Sequence, residues 1–105
     1  MVTFKTHDEV LSHFENGGCL LDTFERTVYI SDVNLDGEFF GIMVACDVPR
    51  SEMSTAEDAA AWAMEHVPAP GAFGAPGRMD LMDAPGGWFD GLARDVLAHP
   101  HEFIA

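Results

Sequence analysis

A chain of 105 residues with 18 Asp and Glu against one Lys and four Arg carries a formal net charge of −13, which excludes direct binding of nucleic acid or anionic lipid. Hydrophobic residues make up 48%, with eight Phe and two Trp, so the chain is not disordered by composition and can bury one modest core. No apolar run approaches the ~18 residues that a membrane span requires, and "MVTFKTHDEV" lacks a basic stretch followed by an apolar one, so a cytoplasmic protein is expected.

The first element expected is a short strand at 2–5, "VTFK", followed by a helix in "THDEVLSHFENGG". Thr6 and Glu9 have the spacing of a capping box, in which hydroxyl and carboxylate satisfy orphan amide donors at a helix start. Val10, Leu11 and Phe14 form one apolar stripe, and Asn16, Gly17 and Gly18 supply the left-handed residue that a helix stop often requires.

From Cys19 to Asp47 the pattern turns to β: "CLLDTFERTVYISDV" and "EFFGIMVACD" are rich in β-branched and aromatic residues. Between them lies "SDVNLDGE", where Asp32, Asn34, Asp36 and Gly37 fall at the first, third, fifth and sixth positions of a calcium loop. The twelfth position, which needs a bidentate Glu, is Met43, and the flanks read as strands, so a hairpin turn is the better reading. Only weak cation binding by Asp32, Asp36 and Glu38 remains as an option. A type I turn over "NLDG" with a bulge at Gly37 pairs Ile30 with Ile42, Val28 with Val44 and Arg26 with Cys46, and puts Phe40 on the same apolar face.

Ser54 with Glu57, or Thr55 one residue on, can cap a second helix in the alanine-rich "STAEDAAAWAMEHV", expected over about 55–67. The segment at about 68–87, "PAPGAFGAPGRMDLMDAPGG" within it, breaks all periodicity and reads as an irregular surface connection or lid. In "WFDGLARDVLAHPHEFIA" the spacing of Trp88, Leu92 and Val96, joined by Phe89, Ala93 and Leu97, predicts an amphipathic helix of about three turns that Pro100 stops. The expected architecture is a single α+β domain over 1–105, a small antiparallel sheet of three to four strands with helices packed on one face, in the order β-α-β-β-α-α.

Chemistry-bearing motifs are sparse. Cys19 and Cys46 are too few for a disulfide framework and not spaced as a metal knuckle, so two reduced, mostly buried thiols are expected. His99 and His101 flank Pro100 without a second ligand cluster, and histidines there suit the negative pole of a helix end. No nucleophile elbow, phosphate-binding glycine loop or "HExxH" occurs, so no catalytic residue, metal or cofactor is assigned.

The acidic residues are the remaining signal. Those at helix starts suit the dipole, but Asp22, Glu25, Asp32, Asp36, Glu38 and Asp47 cluster in the hairpin region, where like charges bring a sheet no benefit. With Tyr29 and Phe39 as apolar anchors, they form the expected partner-binding set. The expected function is a small acidic binding or inhibitor protein that occupies a basic surface of a partner, such as the nucleic-acid groove of a nuclease or nucleic-acid-binding complex. Phage anti-defence inhibitors and nuclease-immunity proteins work in this way, and the comparison is an analogy of mode only. Two other readings are a small enzyme or ligand-binding domain with its site under the 68–87 segment, and an accessory subunit that homodimerises through a sheet edge.

Overall fold

The computed structural model describes residues 2–33, 40–67, 79–83 and 87–105. The first helix, α1 (His7–Glu15), starts where the sequence pattern places it: the Thr6 hydroxyl accepts from the Glu9 amide at 3.2 Å, and the Glu9 carboxylate accepts from the Lys5 amide at 3.3 Å. Gly17, at φ +85°, closes its C-terminus, with its amide on the Phe14 carbonyl and that of Gly18 on the His13 carbonyl. The chain then makes β1 (Cys19–Asp22), β2 (Thr27–Val33) and β3 (Phe40–Ala45), which pair antiparallel in turn.

Thr55 caps α2 (Ala56–His66) by accepting from the Asp58 amide at 3.0 Å. There follow β4 (Met79–Asp83), α3 (Gly87–Ala98), a single 3-10 turn at Pro100–Glu102 and the two-residue β5 (Phe103–Ile104). The protein is α+β: four antiparallel strands with the short β5 at one edge, in the order β4-β3-β2-β1-β5, and three α-helices among the described residues.

The helices cover both faces of this sheet rather than one. Leu20, Tyr29, Ile42 and Val44 alternate along the strands with Leu21, Val28, Ile30, Met43 and Ala45. The first group packs with Val10 and Phe14 of α1 and Phe89, Leu92, Ala93 and Val96 of α3. The second group packs against Ala56, Ala59 and Ala63 of α2.

Three further expectations are corrected. The segment 2–5 is not a strand: the Val2 amide donates to the Pro100 carbonyl at 3.4 Å, and the edge beside β1 is taken by β5. Its alternating Val2 and Phe4 are used in packing, Val2 in the core and Phe4 against the His13 ring. Part of the irregular segment, Met79–Asp83, is a strand paired with β3 from Gly41↔Asp83 to Ala45↔Met79; this pairing is long-range, so Pro and Gly around it concealed the strand.

The β2–β3 register is shifted by one residue, to Val28↔Ala45, Tyr29↔Val44 and Ile30↔Met43. The expected register assumed a single buried face. Because helices cover both faces, either register buries apolar side chains, and alternation alone does not select one. The "NLDG" turn and its bulge lie outside the described residues, as does the segment at 68–78.

Candidate partner-binding surface

The four-residue connection between β1 and β2, residues 23–26, is built by Asp22. Its Oδ1 accepts from the Phe24 amide at 3.0 Å and the Glu25 amide at 2.9 Å, the Asx arrangement that substitutes a side chain for a backbone turn. Thr23 donates through both its amide and its hydroxyl to the Glu102 carbonyl at 2.8 Å, which fixes the turn to the end of the chain. Arg26 leaves the turn at φ +52° and Asp47 leaves β3 at φ +58°, both left-handed without being glycine. Their side chains approach to 4.0 Å, and the Val48 amide donates to the Arg26 carbonyl at 3.0 Å.

This brace presents Phe24 to solvent. The ring is 73% exposed, the largest exposure of a big apolar side chain among the described residues. Glu25, next in the chain, is exposed as well, and so is Asp47 beside Arg26.

The eight residues expected to bind a partner do not form one ridge. Asp32 sits at the opposite end of β2, across from Gly41. Thr27 and Asp32 are five residues apart, about 17 Å at the usual strand rise, which exceeds the ~8–10 Å over which salt screens charge. Asp36, Glu38 and Phe39 lie outside the described residues.

Asp22 is 3% exposed and holds the turn from within, so it is not offered to a partner. Burial pushes its carboxyl above the usual range, the two amide donors oppose this, and the charges of Asp95 and Glu102 add to it. Tyr29 is half-buried on the α1 and α3 side. Its phenol is pushed up to about 12, first by burial and then by the charges of Asp22, Asp95, Cys46 and Glu25.

That field marks what the sequence reading missed. Tyr29 forms one wall of an open groove of about 510 Å³ whose other wall is the outer side of α3, with Trp88, Gly91, Arg94, Asp95 and Ala98. Asp95 on α3 and Glu102 in the 3-10 turn belong to the same acidic end as Asp22 and Glu25, although they lie some seventy to eighty positions away in the chain. Among the described residues Arg94 is the one base on the groove wall, and it is exposed. The signal available in sequence was Gly91, an isolated glycine inside an otherwise helical pattern.

A second cleft, of about 470 Å³, lies between the N-terminal segment and α1, beside Phe4, Asp8, Ser12 and His13. Its histidine is committed to structure: His13 Nε2 donates to the Cys19 carbonyl at 2.7 Å, and a Cβ at Gly18 would stand 2.4 Å from the ring. His7 ties α1 to α3 through Asp90 at 2.8 Å. Cys19 is half-buried, with its thiol pushed up by burial and by the charge of Glu57, whereas Cys46 is exposed, against the expectation of burial.

Comparison with protein-family models, curated proteins and solved structures finds no match. Among the described residues, no three of His, Cys, Asp and Glu are grouped so as to hold a metal ion, and no helix is long and apolar enough to cross a membrane.

Proposed function

We propose that the protein is a small acidic binding protein that occupies a basic surface of a partner protein, such as the nucleic-acid groove of a nuclease or nucleic-acid-binding complex. The observation that carries this reading is that Glu25, Asp95 and Glu102, from three separate elements, act on the same pair of residues, Asp22 and Tyr29, at the end of the sheet where the turn exposes Phe24. Carboxylates there take the places of phosphates and steer encounter, while the exposed ring supplies the desolvated contact that holds the complex. Phe24 is the leading anchor among the described residues, because Tyr29 is half-buried in the groove wall.

The test is capture of basic proteins from a cell extract at low and high salt, using the parent and two charge-reversed forms. One form carries Glu25→Lys and Asp47→Lys; the other carries Asp32→Lys, Asp36→Lys and Glu38→Lys. Binding should fall steeply as salt rises past the ~10 Å screening length reached near 0.1 M, and the first form should lose more than the second. A partner held equally at both salts by all three proteins removes the reading.

A further inference from the structure

We propose that the groove between Tyr29 and the outer side of α3 receives an arginine side chain of the partner, with its guanidinium stacked on Trp88 and paired with the Asp95 carboxylate. This inference rests on the reading of a basic partner and names the contact through which it is recognised.

Gly91 is the first reason. It lies in the interior of a twelve-residue helix, where glycine is a poorer choice than alanine. A Cβ built there meets nothing within 4 Å, so no packing inside the protein calls for its absence. What the missing side chain does is leave open space on the α3 wall, in the middle of the groove.

Charge and shape select the occupant. Burial and the carboxylates of Asp22, Asp95 and Glu25 together hold the Tyr29 phenol neutral, and the same negative field favours a cation in the groove. Trp88 and Tyr29 offer aromatic surface, and Asp95, about half exposed, offers two acceptor oxygens. An ammonium can use the charge, but a planar guanidinium can also stack on the indole and bond both carboxylate oxygens. Among the described residues Arg94 is the one Arg or Lys on the wall, and His99 Nε2 stands 4.0 Å from Asp95 Oδ1, so an incoming guanidinium shares that carboxylate with His99.

The experiment uses the full chain with Trp62→Phe, which leaves Trp88 as the only indole, and titrates tetra-arginine amide or tetra-lysine amide at low salt. Tetra-arginine should change Trp88 fluorescence and bind more tightly than tetra-lysine. Gly91→Leu, which fills the groove from an exposed helix position, and Asp95→Asn should each weaken it by about tenfold, the size expected for one charge-assisted contact. Arg94→Gln should tighten it. Circular dichroism confirms that each variant keeps its helices.

Equal affinity for the two peptides, or unchanged affinity in Gly91→Leu, overturns the proposal. If tetra-arginine ignores Gly91→Leu and Asp95→Asn yet weakens on Glu25→Lys with Asp47→Lys, the groove is wrong and the acidic surface stands. If neither peptide binds at all, the groove is again refuted, and the capture experiment alone decides the broader reading.

Discussion

The two faces of the sheet are covered by different means. On the α2 side, Ala56, Ala59 and Ala63 are fully buried on Leu21, Val28, Ala45 and Val48, and such small side chains let a helix backbone lie close to the strands. On the other side, Phe14, Phe89 and Phe103 fill the space, with Phe14 and Phe89 edge to face at 6.1 Å, and two helices share the cover. Close packing by alanine seals a face; bulky rings hold two helices on the other face, and beside α3 a groove stays open over Tyr29.

The largest expected effect is on the aromatic face. Phe89→Ala removes the ring that meets His7, Phe14 and Trp88, and should cost about 3–5 kcal/mol by chemical denaturation, the range for large-to-small changes in a core. Ala63→Leu tests the sealed face in the opposite direction: extra methyl groups where the helix meets the sheet should cost about 1–3 kcal/mol. A cost below 0.5 kcal/mol, the size of an ordinary surface change, would show that the α2 side has slack and break the contrast.

Asp22 gives a smaller effect that depends on pH. Burial raises its carboxyl above the usual range, so the neutral form is favoured in the fold, and that contribution is lost as pH rises through the folded value. Asn at this position keeps an acceptor for the Phe24 and Glu25 amides without the charge. Asp22→Asn should therefore match the parent in acid and exceed it in stability near neutral pH, whereas Asp22→Ala should lose about 1–2 kcal/mol at both, having left two amides without their acceptor. A parent more stable than Asp22→Asn near neutral pH would mean that the amide bonds outweigh burial.

The smallest change sharpens the comparison at the groove. Gly91→Ala should stabilise the protein by about 0.5–1 kcal/mol in thermal or chemical unfolding, since the added Cβ meets nothing and the helix gains. A loss of stability would mean that the glycine serves packing and not an open groove.

The helices were legible in the sequence because their signals are local. The hydroxyls of Thr6 and Thr55 cap within three residues, and the stripe of Phe89, Leu92, Ala93 and Val96 is set by helical spacing. The sheet was legible in class but not in detail: β4 is held by pairing with β3, and β5 by pairing with β1, which no local propensity reports. The acidity of the site was plain, and its distribution was not. Asp22 and Asp32 are close in sequence, but the turn at 23–26 sends them to opposite ends of β2, one buried and one half-buried. Asp95 and Glu102 reach the same end as Glu25 only through the packing of α3 and β5, which sequence neighbourhood does not report.

The two tryptophans test the central claim most directly, because Trp62 lies with the sealed face and Trp88 with the open one. Following both indole N–H signals by NMR during a titration with tetra-arginine amide compares the faces in a single sample. The account predicts a progressive shift of the Trp88 signal, reversed by added salt, while the Trp62 signal stays in place. Equal shifts of both, or a shift of Trp62 alone, would contradict it.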